Sequence, residues 1–95
     1  MATKTIVHKE IIVKGRVQGV GFRANAKHVA DSMNIRGQVK NLLDGNVWIL
    51  AEGEELVMED FIAWCRSGPA MAVVKEVEII DGSVQNIEGF TILYS

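Results

Sequence analysis

Seven residues, Gly15-Arg16-Val17-Gln18-Gly19-Val20-Gly21, separate two segments of different apolar period, and that change constrains the fold more than any other feature. Before them, Thr5–Lys14 (TIVHKEIIVK) alternates, with Val7, Ile11 and Val13 on one face and Lys9 breaking the pattern near a solvated end. After them, Phe22, Ala26, Val29, Ala30 and Met33 recur at i, i+4, i+7, i+8 and i+11. That spacing is one face of a helix, with Lys27, His28, Asp31 and Ser32 turned mostly outward. A half-buried strand therefore passes through a glycine-rich turn straight into a helix over residues 22–33, which Asn34 stops by tolerating positive φ.

The segment GQVKNLLDGNVWILAEG reads as a hairpin, with strands over Gly37–Leu43 and Asn46–Ala51 around a primed turn at Asp44-Gly45. A second helix is expected over Glu54–Ser67, with Val57, Phe61, Trp64 and Cys65 on one face. Glu54 and Glu55 in its first turn and Arg66 in its last suit the macrodipole, and Gly68-Pro69 stops it. Met71–Ile80 alternates charge as a strand with one wet face or an exposed edge does. A short strand, Phe90–Tyr94, follows a loop containing Gly82. The order is β-α-β-β-α-β with a trailing strand. Right-handed crossovers then lead to an α+β, ferredoxin-like split βαβ sandwich: a mainly antiparallel sheet with two helices packed on one face.

Composition narrows the class of function. Ninety-five residues suit one domain, 1–95, and 48% apolar with 23% charged side chains is ordinary for a globular chain and wrong for disorder. Ten basic against twelve acidic residues leave a net charge of −2, which argues against a nucleic-acid partner. The single Cys65 excludes a disulfide framework and a thiolate cluster. Met1–Glu10 has no continuous apolar stretch of the signal-peptide kind, and no run approaches the roughly 20 residues of a membrane span. A cytoplasmic, monomeric domain without membrane attachment is expected.

In a βαβ unit the two strands are parallel, so their C-terminal ends share a sheet edge with the start of the helix between them. The Gly15–Gly21 loop, Arg23 and Asn41 are thereby brought to one corner, where open α/β sheets collect ligands. Three glycines in seven residues allow a nest of inward N–H groups, and the positive end of the first helix faces the same space. Arg23 adds a fork that matches two phosphate oxygens, and Asn41 an amide able to hold a water. These features fit an anion site; they also fit a plain tight turn with a surface Arg. The loop is neither a Walker loop nor a dinucleotide fingerprint.

Val13–Arg23 (VKGRVQGVGFR) resembles the first signature of the acylphosphatases, V-x-G-x-V-Q-G-V-x-F-R, and Gly37–Gly53 resembles the second, through Lys40, Asn41, Gly45, Val47 and Gly53. The resemblance extends over essentially the whole chain. It implies a ferredoxin-like sandwich that hydrolyses the carboxyl-phosphate anhydride of a small acyl phosphate. Gly15, Arg16, Val17, Gln18, Gly19, Val20 and Arg23 would bind the phosphate, and Asn41 would orient the attacking water. Gln38 departs from a usual aromatic, Leu43 from a frequent proline, and Ala24-Asn25-Ala26 from a stretch often richer in Tyr and Thr. None of these removes a residue with a direct catalytic role.

That chemistry needs neither metal nor cofactor. A carboxylate leaving group has a conjugate-acid pKa of about 4 and departs without a general acid. Phosphoryl transfer then asks mainly for positioning and charge neutralisation, and the phosphate itself takes the proton that Asn41 cannot. Elsewhere the bland readings stand: His8 and His28 as ordinary solvated or structural side chains, Cys65, Phe61 and Trp64 as core, and Trp48 as cover for the helix-free sheet face. Asp44, Glu54, Glu55, Glu59 and Asp60 do not converge on a metal site. Two other classes share the layout. One is a non-catalytic anion sensor, disfavoured by Asn41. The other is a single-stranded RNA binder, disfavoured by 6% aromatic content and no basic surplus.

Overall fold

The alternating first segment forms strand β1 (Ile6–Arg16), which sends Ile11 and Val13 into the core while Glu10, Ile12 and Lys14 take the opposite face. The computed structural model describes residues 5–94; the outermost residues of the expected 1–95 domain and the start of the Met1–Glu10 segment lie outside the described residues. Helix α1 (Phe22–Ser32) buries Phe22, Ala26 and Ala30, as the i, i+4, i+8 spacing requires. Past its end Asn34 sits at φ 55, Ile35 N–H donates to Ala30 O (2.8 Å) and Asn34 N–H to Asp31 O (3.3 Å). These crossed bonds satisfy the last carbonyls of the helix, so Asn34 is the expected stop.

Strands β2 (Arg36–Asn41) and β3 (Val47–Glu54) form the hairpin, helix α2 (Glu55–Ser67) buries Met58, Phe61 and Cys65, and strands β4 (Val73–Gly82) and β5 (Phe90–Leu93) complete the described elements. The sheet order is β4-β1-β3-β2-β5. Strand β3 lies antiparallel between β1 and β2, β4 is antiparallel to β1, and β5 is parallel to β2. This is the ferredoxin-like α+β sandwich with a fifth strand added. Both helices cover the face carrying Ile11, Val13, Val39, Val47, Ile49 and Ala51. Phe22 and Phe61 are among the largest side chains there, each stabilising the fold by roughly 1.5–3 kcal/mol on full burial.

The hairpin turn differs from the primed two-residue form. Gly45 N–H donates to Leu42 O (3.2 Å), Leu42 N–H to Asn46 O (2.8 Å), and Gly45 adopts φ 95. A turn followed by a left-handed glycine makes a three-residue loop. Asp44 Oδ1 accepts Asn46 N–H at 3.0 Å, so β2 ends at Asn41 rather than Leu43, and β3 starts at Val47. Strand β1 does not stop at Lys14 either. A bulge against β4 carries it through Gly15, where a Cβ would fall 2.3 Å from Val73 O.

Strands β4 and β5 occupy opposite edges, so residues 83–89 must cross the sheet. Glu52, fully buried on β3 opposite His8 of β1, holds that crossing. Its Oε2 accepts Gln85 N–H and stands 2.7 Å from His8 Nδ1, while Oε1 accepts Ile87 N–H at 2.9 Å. Burial alone favours the neutral acid. The N–H groups of Ile87 and Gln85, and then His8, outweigh it and hold the carboxyl below its ordinary value of 4.5. Glu52→Gln leaves one of these donors without an acceptor and is expected to cost about 1–3 kcal/mol at neutral pH. A depressed folded-state pKa means that the carboxylate's contribution is complete above about pH 4.5 and is lost as pH falls through the folded value. Urea unfolding at a series of pH values below about 7 will show the native protein's advantage over the variant constant down to about pH 4.5 and shrinking below it.

Candidate active site

Because β1 and β2 are parallel, the chain leaves β1, rounds the glycine loop and enters α1 at the same sheet edge where β2 ends at Asn41. Strand β5 runs parallel to β2 and pairs Leu93 with Lys40, so its end arrives there too. Gly19, Gly21, Arg23 and Asn41 line one concavity of about 160 Å³, whose wall is completed by Phe22, Ala24 and Tyr94.

The loop is shaped by left-handed residues, Gly19 at φ 73 and Gly21 at φ 77. Nothing stands within 4 Å of where a Cβ on Gly19 would project, so backbone conformation rather than crowding demands glycine at that position. Gly21 is the N-cap of α1, no side chain caps the helix, and no acidic residue occupies its first turn. The first N–H groups and the positive end of the helix are therefore left to face an anion. Asn25 secures the cap from inside the helix, its backbone N–H and its Nδ2 both reaching Gly21 O, at 3.1 and 2.8 Å.

Arg23 is half-buried: Nη1 donates to Leu93 O at 3.3 Å, and the Tyr94 ring lies against the guanidinium, 4.8 Å from its centroid to Cζ. Gln18 spends both amide protons on the hairpin, to Leu42 O (2.7 Å) and Asn46 O (2.8 Å). These two bonds lock the glycine loop to the turn that follows Asn41.

Of the residues singled out in the sequence, Gly19, Arg23 and Asn41 come together at the concavity. Gly15 and Arg16 instead belong to β1, paired with Val74 and Val73. Val17 is fully buried in the core and Val20 packs against it, so only their peptide groups are left to the loop's inner side. Gln18 acts through the hairpin. Tyr94 is the site residue that sequence reasoning passed over, since its place depends on β5 pairing with β2. Glu52 was missed as well; a charge amid VWILAEG was the one available signal.

The remaining side chains fall away from this edge. His8 is buried on Glu52 and His28 is exposed. Burial pushes the Cys65 thiol up to about 12, so it is not a nucleophile at neutral pH. Trp64 packs on Phe22 and Phe61 with ring centroids 5.2 and 6.3 Å away. Trp48 lies on the helix-free face, its Nε1 donating to Glu10 Oε2 (2.6 Å) and its ring 4.9 Å from Lys40 Nζ. Among the described residues no three or more His, Cys, Asp or Glu side chains form a set that could hold a metal ion, and no helix is long and apolar enough to cross a membrane.

A family model described as Acylphosphatase matches residues 9–92. The chain belongs to the acylphosphatase family. Among its relatives, an acylphosphatase of Archaeoglobus fulgidus is 47% identical over 85 residues, covering 90% of this chain and 96% of the relative. One from Thermotoga maritima is 42% identical over 85 residues, covering 90% of this chain and 94% of its own. Among solved structures, the Bacillus subtilis acylphosphatase superposes with a TM-score of 0.90 at 38% identity, covering 93% of this chain and 99% of that one. The Coxiella burnetii acylphosphatase gives 0.91 at 30% identity, covering 98% and 100%. This chain is thus an acylphosphatase hydrolase.

Gln18 makes two of the bonds that hold the loop to the hairpin. Gln18→Ala is expected to lower stability by about 1–2 kcal/mol and kcat/KM on an acyl phosphate about tenfold, because loop and hairpin no longer keep a fixed distance. Denaturant unfolding and steady-state hydrolysis of benzoyl phosphate check the two effects separately.

Proposed function

We propose that this acylphosphatase holds the phosphoryl group of its substrate in the Val17–Gly21 loop that follows β1 and on Arg23, and orients the attacking water with Asn41. The observation that carries this reading is that Gly19, Gly21, Arg23 and Asn41 line one concavity at the uncapped start of α1. Peptide N–H groups of the loop and the Arg23 fork neutralise the phosphoryl oxygens in place. Asn41, at the end of β2 beside the loop, accepts from the water through its carbonyl oxygen and holds it in line with the bond to be broken.

The water oxygen bonds to phosphorus, the bond from phosphorus to the acyl oxygen breaks, and its electrons leave with the carboxylate. The water proton passes to a phosphoryl oxygen, giving inorganic phosphate and a carboxylate. With a leaving group of conjugate-acid pKa about 4, no general acid is required. The same site is poor on simple phosphate esters, whose alkoxides leave only with a proton or a metal.

Hydrolysis of benzoyl phosphate in the presence of a chelator tests the reading. The native chain is expected to turn over unhindered. Asn41→Ala should lose about 100-fold or more in kcat while still binding inorganic phosphate, as loss of one positioning group does elsewhere. Arg23→Ala should lose turnover to a similar extent and also weaken phosphate inhibition at least about tenfold, the worth of a bidentate charged pair. Undiminished turnover in either variant, or loss of native activity to the chelator, contradicts it.

A further inference from the structure

We infer that Tyr94 is a specificity-determining residue, whose ring receives the acyl group and favours aromatic or broad apolar acyl phosphates over small polar ones. The inference rests on the phosphate site described above. With the phosphoryl group on the loop and Arg23, the acyl group must leave the concavity on the side away from Gly19 and Gly21. The concavity, about 160 Å³, is not closed over, so a large acyl group joined to a phosphoryl group at its base extends toward the rim.

The rim offers few surfaces for it. Gly19 and Gly21 have no side chains, Phe22 is buried, and Ala24 contributes one methyl group. Tyr94 is different: it lines the same concavity, yet 77% of it is exposed. Its ring lies against the Arg23 guanidinium, 4.8 Å from centroid to Cζ, and Leu93 O takes Arg23 Nη1, so the ring stands beside the phosphate-binding cation. An acyl group joined to a phosphoryl group on Arg23 emerges beside that ring. An aromatic acyl group gains offset or edge contact there, which a carbamoyl or acetyl group is too small to make.

The test compares kcat/KM for benzoyl phosphate and acetyl phosphate in the native chain, Tyr94→Ala and Tyr94→Phe. In Tyr94→Ala the benzoyl-to-acetyl ratio is expected to fall about fivefold, chiefly through KM for benzoyl phosphate, the size of one lost aromatic contact. Tyr94→Phe should keep the native ratio. An unchanged ratio in Tyr94→Ala overturns the inference, whether both rates hold or both fall together; equal losses on the two substrates mean that Tyr94 only steadies Arg23. Inhibition by inorganic phosphate in Arg23→Ala reports on the underlying site independently. Full phosphate inhibition in that variant removes the basis of the inference, whatever Tyr94→Ala does.

Discussion

Taking a carboxylate out of water costs several kcal/mol unless its lone pairs are filled, and in this fold Glu52 is fully buried on a central strand. What fills them decides where the last part of the chain goes. Gln85 and Ile87 can donate their N–H groups to Glu52 only if residues 83–89 cross the sheet at the level of His8. That crossing delivers Phe90 to the far side of β2, where Gly37 N–H donates to Gly89 O at 2.8 Å and Lys27 Nζ to Phe90 O at 2.9 Å. Strand β5 then has one direction open to it. Leu93 and Tyr94 reach Arg23 at the opposite end of the sheet as the far consequence of a carboxylate buried near the start of β1.

The active-site edge is assembled from pieces that are separately weak. A glycine loop has little stability of its own, and glycine loses more backbone freedom on ordering than any other residue. Here it is tied down by its flanks: the bulge of β1 against β4 on one side, the cap of α1 on the other, and the Gln18 amide across to the hairpin. The bonds from Gln18 have a second effect, since they keep Asn41 at a set distance from the loop. Positioning is the main thing that hydrolysis of an activated anhydride asks of a protein, and the proposed mechanism asks it only of backbone groups, one guanidinium and one amide.

Much of this is legible in the sequence. The passage from period two to period 3.6 around Gly15–Gly21 marks the first strand and helix, and Asn34 ends that helix with the crossed bonds its tolerance of positive φ allows. The meeting of Gly19, Arg23 and Asn41 followed from strand-helix-strand geometry. Element ends were less readable because they are decided by hydrogen bonds that periodicity does not register. Asp44 to Asn46 shortens β2, and the Gly15 bulge lengthens β1. Gly15 and Gly19 look alike in the sequence yet differ in cause, one facing the β4 backbone at contact distance and the other open space.

Local patterning by itself determined the elements and the two-layer arrangement, because periodicity, capping and turn chemistry act over a few residues; the loop was read as a phosphate loop only through its resemblance to the family signature. The tertiary structure alone decided the places of Glu52, Gln18 and Tyr94. Each gains its meaning from a partner at least 24 residues away: Gln18 from Leu42, Glu52 from Gln85 and Ile87, and Arg23 and Tyr94 from each other. No spacing rule along one strand or helix reaches that far. Only the order β4-β1-β3-β2-β5, with its single parallel pair at the β5 edge, sets which distant side chains share a solvent-free space or a common rim.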